Sequence, residues 1–558
     1  MPTMTGSKFI AETLRGYGVT TVFFVPAILK SALVEMEKLG MRRVLCHSEK
    51  AAAYMADGYA RMARRPGIAM AQSVGAANLA AGLQDAYLAM SPVIAITGRW
   101  PPIYRYRHAY QEIDHWPLYE PVTKYNAFID SVEQLPILFR QAFREATSGA
   151  PGPAHLELLG LQGEMVTKRS ADLEVIIEEP FMQYPAFRPE PEAERVRQAA
   201  KVLAQAQQPV LVAGGGATAS QASEEVVKLA EMMSMPVATS LNGKGTIPED
   251  HPLSIGVVGT YSRWCTNQIV SEADLVLFVG SHSGGQATHF WQVPKPGTAT
   301  IQVDIDPSEL GRNYPPQVSL LGDAKITLQR LIEVLEPADA KTAWAEQASQ
   351  LVKQWRKELE PRSNADESPI RPERLCQEIS NLLAPDAVLV SDTGHAGIWT
   401  GTMVDLKEPG QRYLRSAGSL GWAFPAALGA KCAAPQRPVI CFTGDGGFWY
   451  HLSELETARR CGINTVTVVN NNRSLNQDKS GVDRAYGDQT TGNREEMWVF
   501  QDVDFASVAQ SMGCFGIRVE RPAELQGALE QALASKEPAV VDVVSDIDAF
   551  APSAYVPD

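Results

Sequence analysis

Short β-branched and apolar runs alternate with segments of helical period along almost the whole chain, the pattern of parallel sheets wound on both faces by helices. It falls into three blocks. In the first, strands are expected at 20–25, 43–46, 67–71, 93–97 and 154–158, with a helix at 49–62 between two of them. A Pro- and Glu-rich stretch at 178–191 interrupts the pattern and reads as a linker. The second block opens with a helix and a strand at 209–213 that runs into Gly214, Gly215 and Gly216, and it closes with a strand at 300–304 and a helix at 324–335. A polar stretch at 357–372 precedes the third block, with strands at 387–391, 439–443, 465–470 and 539–544 and a helix at 452–461. The expected fold class is therefore α/β, with three consecutive doubly wound, mainly parallel-sheet domains at 1–175, 192–340 and 370–550.

Composition narrows the classes. At 558 residues and 45% hydrophobic, the chain has material for three or four cored domains. A net charge of −14 argues against general nucleic-acid binding, which needs a basic footprint. The longest apolar runs, such as 275–280, are strand-sized and far short of the about 20 residues of a membrane helix. The first residues lack a basic segment followed by an apolar core, so no secretion signal is expected. Seven scattered cysteines with no C-x-x-C pair fit reduced thiols and a cytoplasmic location better than a zinc site.

The chemistry concentrates in the third block. Gly444-Asp445-Gly446-Gly447 follows a strand directly, and a helix and another strand lead to Asn470-Asn471-Asn472. One βαβ crossover thus brings a carboxylate and an amide to the same sheet edge. Their oxygens suit Mg²⁺, and the glycines let backbone N–H groups approach phosphate oxygens where a helix begins. In open sheets, ligands bind at the carboxyl ends of the strands. Gly214 to Gly216 occupies such a place, and suits either a tight strand-to-helix turn or a dinucleotide site.

Asp445-Gly446 with Asn472 is similar to the signature of thiamine-diphosphate-dependent enzymes. The stretch 418–472, with Gly418-Ser419-Leu420-Gly421 and Phe424-Pro425-Ala426-Ala427, resembles the acetolactate synthase and 2-oxo acid decarboxylase group. So do His47-Ser48-Glu49-Lys50, Asp57-Gly58-Tyr59-Ala60-Arg61, Asn78, Asp85-Ala86-Tyr87, Tyr110-Gln111-Glu112 and Asp304-Ile305-Asp306-Pro307, so coverage is nearly full length. The resemblance implies a pyrimidine-binding N-terminal domain, a central Rossmann-like domain and a diphosphate-binding C-terminal domain. It also implies a cofactor bridging the first domain of one subunit and the third of another. A homo-oligomer follows, at least a dimer, with a homotetramer the expected assembly.

Each residue then has an implied role. Glu49 would hydrogen-bond the pyrimidine and promote removal of the thiazolium C2 proton, a reactivity that the cofactor supplies. Leu420 would prop the cofactor into a V. Asp445, Asn472 and the backbone carbonyl of Ser474 would ligate Mg²⁺. Gly446, Gly447, His395 and Ser419 would touch the cofactor, and Gln111 would face the C2 adduct.

Three departures shape the expected activity. Ile28, beside Val25-Pro26-Ala27, is apolar where some relatives place a polar catalytic residue, and Val482 stands where acetolactate synthases carry an aromatic specificity residue. Ser281 to Gly285 lacks the Arg-Phe-Asp-Asp of flavin-binding relatives, so FAD is not expected. Arg99, Arg105, Arg107 and His108 before Gln111, with Arg473 and Lys479 after Asn472, suggest an anionic small-molecule substrate; Ile28, Arg107, His108 and Arg473 are its candidate contacts. The expected function is a decarboxylase/carboligase acting on a 2-oxo acid. The alternatives are a 2-hydroxyacyl- or oxalyl-CoA lyase or decarboxylase, a sulfoacetaldehyde-type acetyltransferase, and a non-catalytic cofactor-binding relative. No nucleic-acid or membrane partner is expected.

Overall fold

The structure, a computed structural model, describes residues 2–336, 342–487 and 492–556. Three six-stranded sheets follow one another along the chain, and every strand pairing within them is parallel. The first sheet runs Arg42–Leu45, Thr21–Phe24, Gly67–Ala71, Val93–Arg99, Ala154–Leu159, Tyr125–Ile129 across its width. The third runs Arg412–Arg415, Val388–Ser391, Val439–Gly444, Val466–Asn471, Ala539–Val544, Phe515–Val519. Counted within each sheet, both have the order 2-1-3-4-6-5. The central sheet differs: Ser254–Val257, Val237–Thr239, Pro209–Ala213, Leu275–Val279, Ala299–Asp304, Val318–Leu321, or 3-2-1-4-5-6, the order of dinucleotide-binding folds. A small antiparallel pair, Thr3–Thr5 with Ser170–Asp172, closes the first unit.

Inner strands such as Gly67–Ala71 and Leu275–Val279 are buried at every position, as expected where helices cover both faces. The first and third units share one core. It spans the Glu49–Ala63 and Ala423–Ala433 helices, with Tyr54, Met55, Trp422, Phe424 and Ala427 in a single apolar cluster. These helices meet through small residues: a Cβ on Gly58 would strike the carbonyl of Ala426, and one on Gly429 the carbonyl of Met55.

The polar stretch at 357–372 is not all linker. Its first seven residues complete the 22-residue helix Thr342–Ser363, whose Trp344, Val352 and Trp355 are buried against the central unit. There Arg356 meets Asp405, and buried Arg263 donates to Asp405 (3.0 Å) and Glu249 (2.6 Å) while lying 4.5 Å from the Trp355 ring centroid. Lys244 completes this ionic junction through Glu249 and the carbonyl of Gly401.

Candidate active site

The third sheet reverses its strand order between Val388–Ser391 and Val439–Gly444, the switch point at which ligands bind in such folds. Asp392 leaves the first of these strands and Asp445 the second. Asp445 is 2% exposed, and its Oδ1 has no hydrogen-bond partner. Burial pushes its carboxyl up to about 7, although backbone N–H groups of Asp445, Gly446, Ser474 and Asn472 pull the other way. A divalent cation would supply the partner that Oδ1 lacks. Asn472 and Ser474 lie buried at the end of the neighbouring strand, where Asn472 Oδ1 accepts from the Ser474 amide (3.2 Å) and hydroxyl (2.9 Å). Among the described residues, no group of three or more His, Cys, Asp or Glu side chains could hold a metal. A cation here would therefore rest on one carboxylate, an amide oxygen and backbone carbonyl oxygen, hard ligands of the kind Mg²⁺ takes.

Asp392 was not singled out from the sequence, yet it braces this edge. Its carboxylate accepts from the backbone N–H groups of Thr393 (2.8 Å) and Gly421 (3.1 Å) and from the Thr443 hydroxyl (3.2 Å). Burial raises its carboxyl to about 6, against these hydrogen bonds. Gly447 is needed beside it, since a Cβ there would press on the Thr443 hydroxyl and the Asp392 carboxylate. His395 opens the next helix, His395–Met403. Its Nδ1 lies 2.8 Å from Asn476 Oδ1, and Asn476 Nδ2 already donates to the carbonyls of Ile547 and Ala549. Nδ1 is therefore the protonated nitrogen of the neutral ring, and Nε2 keeps its lone pair. Burial lowers the pKa of this imidazole despite the Asn476 hydrogen bond.

The first unit carries a second constellation. Glu49 begins its helix after the Ser48 cap, whose hydroxyl accepts from the Ala51 amide (3.4 Å). Glu49 Oε2 accepts from Asn78 Nδ2 (3.3 Å), and a Cβ on Gly75 would collide with the Glu49 carboxylate. Both neighbours belong to the Ser73–Leu88 helix. Ser73 of that helix donates its hydroxyl to the Gln111 carbonyl (2.7 Å). Gln111 adopts φ 61, and its side-chain Oε1 is buried without a partner. One helix start thus brings Glu49 and Gln111 together. The loop before Gln111 is folded by Glu112, which accepts from the amides of Tyr106 (2.9 Å) and Ala109 (3.2 Å).

The remaining residues scatter. Leu420 and Ser419 are half-buried on a turn that continues into Gly421, φ 85. Arg105, Arg107, His108 and Arg473 are exposed. Ile28 is fully buried in the core of the first unit, and Val482 is buried too. Arg99 corrects the expectation that it flanks the site: it is 6% exposed on its strand, paired with Asp130 and Glu157 and held 4.4 Å from the Phe128 ring centroid. Lys479 is likewise engaged, with Asp548 at 2.6 Å.

Two sheets of identical order thus carry separate constellations, one with a glutamate at a helix start and the other with a buried aspartate beside an Asn-x-Ser turn, and the chain's likeness to known proteins says which class of enzyme uses such a pair. The chain belongs to the thiamine pyrophosphate enzyme family. Residues 4–118 match its N-terminal TPP binding domain, 196–331 its central domain and 392–543 its C-terminal TPP binding domain. The chain is similar to a probable acetolactate synthase large subunit of Methanocaldococcus jannaschii, at 34% identity over 97% of this chain and 92% of that protein. It is also similar to an acetolactate synthase of Mycobacterium bovis (31%, covering 98% and 89%) and to an acetolactate synthase large subunit of Haemophilus influenzae (29%, covering 98% and 95%). It is a thiamine-diphosphate-dependent enzyme, and no described helix is long and apolar enough to cross a membrane.

Proposed function

We propose that this enzyme is an acetolactate-synthase-like carboligase that decarboxylates a 2-oxo acid and joins the retained two-carbon or longer fragment to a second carbonyl compound. The observation that carries this reading is the full-length likeness to acetolactate synthases together with a helix-initial Glu49 and a partnerless buried Asp445 oxygen. Thiamine diphosphate, when bound, supplies a thiazolium carbon that loses a proton and holds the negative charge left by decarboxylation.

The chain's own residues do the rest. Glu49, kept in place by Asn78 and by the bare Gly75 backbone, is the group that exchanges a proton with the pyrimidine ring. Asp445, Asn472 and the Ser474 carbonyl would hold Mg²⁺, whose charge would offset that of the diphosphate, and Gly446 and Gly447 would let the backbone approach it. Leu420 supports the bent cofactor, and Ser419 and His395 line its path. Gln111 offers its unpaired Oε1 and its amide to the substrate, and exposed Arg107, His108 and Arg473 meet the substrate carboxylate. Glu49 and Asp445 of one chain serve two different cofactors, each shared with another subunit, in an assembly of at least two copies.

The test is direct. The purified protein, loaded with thiamine diphosphate and Mg²⁺, should consume pyruvate with release of CO₂ and form acetolactate, detected as acetoin after acid treatment. Aldehyde release without ligation, or turnover of acyl thioesters in place of 2-oxo acids, would overturn the carboligase reading.

A further inference from the structure

We propose that Asp85 is a positioning residue: it holds the 416–420 turn, and through it Leu420, in the place where the cofactor is bent. The inference rests on the cofactor role given to Leu420 above.

Asp85 lies in the first unit, on the Ser73–Leu88 helix, and is fully buried. Its carboxylate collects a whole turn of the third unit. Oδ2 accepts from the Ser416 hydroxyl (3.0 Å) and from the amides of Ala417 (3.0 Å), Gly418 (3.2 Å) and Ser419 (3.1 Å). Oδ1 accepts from Arg61 Nη2 (3.1 Å) and again from Ala417 (2.9 Å). The far side of Leu420 is tied to the first unit as well. There Trp422 Nε1 donates to Asp57 Oδ2 (2.9 Å), and Asp57 also holds Arg61 (2.8 and 2.6 Å), which reaches back to the Arg415 carbonyl (2.6 Å) ahead of the turn. Leu420 thus sits between two anchors, both on helices of the first unit.

These are the two helices that build the Glu49 constellation. Glu49 and Asp57 share one, and Gly75, Asn78 and Asp85 share the other. Asp85 stands ten residues, about 15 Å of rigid helix, beyond Gly75, so one frame fixes both Leu420, beside the cofactor that this chain's Asp445 anchors, and Glu49, which serves the cofactor on its other side. A carboxylate suits this task because it accepts hydrogen bonds only; an asparagine would set an NH₂ against N–H donors, and losing charged hydrogen bonds in a buried place lets the turn move.

The readout is hydrogen–deuterium exchange at C2 of bound thiamine diphosphate, followed by acid quench and proton NMR without substrate. Cofactor affinity is measured by calorimetry and fold by circular dichroism. In folded, cofactor-saturated Asp85→Asn, exchange should slow at least tenfold. Ser416→Ala, which removes one of the bonds, should slow it severalfold. Wild-type exchange in loaded Asp85→Asn would overturn the proposal, since an anchor with only a structural role would lower thermal stability and leave the rate of the folded protein unchanged. Should Asp85→Asn fail to fold, wild-type exchange in Ser416→Ala overturns it instead. Glu49→Gln separates the two readings: fast exchange there overturns the cofactor assignment itself, whereas slow exchange there with fast exchange in Asp85→Asn overturns only the positioning role.

Discussion

A glutamate at the first position of a helix is common, because the dipole favours it; what marks Glu49 is the bare backbone at Gly75 pressed against its carboxylate and the amide of Asn78 held to it. Glu49→Gln should therefore bind thiamine diphosphate as the wild type does and lose about 10²–10⁴-fold in turnover; steady-state kinetics beside calorimetry checks both halves. Asp445→Ala should weaken Mg²⁺ and cofactor binding together, and in the wild type cofactor affinity should climb as pH rises toward about 7, since the proton on a raised carboxyl competes with the cation. Affinity flat across that range, or unchanged in the variant, places the cation elsewhere. Arg473, pinned by its carbonyl to the Phe500 amide (2.6 Å) with its side chain exposed, gives the third expectation: Arg473→Ala should raise KM for an anionic substrate about tenfold with cofactor affinity intact. At this scale the motif residues were legible, since Asp445, Asn472 and Glu49 stand at strand or helix ends. Asp392 and Asn476 were not, and Asp85 was read only as part of the Asp85-Ala86-Tyr87 motif, with no role attached. Their roles come through distant partners, Gly421 at 29 positions from Asp392, His395 at 81 from Asn476 and Ser419 at 334 from Asp85, and no local pattern encodes such a partner.

The strands show the same division between what a local pattern carries and what it does not. Inner strands were placed to within two residues, because burial on both faces forces an uninterrupted apolar run. In the three large sheets the strands passed over are Tyr125–Ile129, Ser254–Val257, Val318–Leu321, Arg412–Arg415 and Phe515–Val519, all at sheet edges, and the three-residue Val237–Thr239 beside one; the small pair Thr3–Thr5 and Ser170–Asp172 was passed over too. An edge strand pairs on one side only, so charged residues such as Arg412, Arg415 and Arg518 are tolerated and the apolar signal fades. The helix crossing between the first and third units is also outside a pattern reading, which sees glycine as a helix weakener. Gly58→Ala tests that reading. Helix propensity alone would stabilise by roughly 1 kcal/mol, but the added methyl meets the Ala426 carbonyl, and overpacking against backbone costs about 1–3 kcal/mol. A lower unfolding temperature is expected; a higher one would show that the crossing has slack.

Across the whole molecule, each junction combines apolar and charged contacts: a shared core with buried Asp57 and Asp85 and their partner Arg61 between the first and third units, and Leu241 and Val257 with the buried Arg263, Glu249 and Lys244 cluster between the central and third. Burial raises the pKa of Asp405, but Arg263 and Arg356 more than reverse this, leaving its carboxyl well below the usual range. A depressed carboxylate contributes stability that is complete above its unfolded pKa of about 4 and is lost as pH falls below it. Calorimetric scans from pH 5 downward should show the central unit separating before the other two, and Asp405→Asn should bring that separation to neutral pH, as breaking one member of a buried ion pair costs about 3–5 kcal/mol. A single transition at every pH would refute this. The three-block plan was legible because each block repeats the same strand–helix alternation; that the outer two share one strand order and one core was not, because topology is set by which strands pair.

Backbone-on-backbone contact at Gly58 and Gly429 leaves no layer of side chains to slide or repack. On the microsecond-to-millisecond scale of domain motions, the outer units of one chain should therefore travel as a single body, which leaves movement at the proposed site to the contact between subunits and to segments that the crossing does not clamp. The loop from Pro102 to Tyr110, exposed along most of its length and turning through positive φ at Tyr106 and His108, is such a segment. Its amides should trade protons with solvent long before those of the crossing helices, so the segment that leads to Gln111 is expected to be fluid where the helix behind Glu49 is stiff.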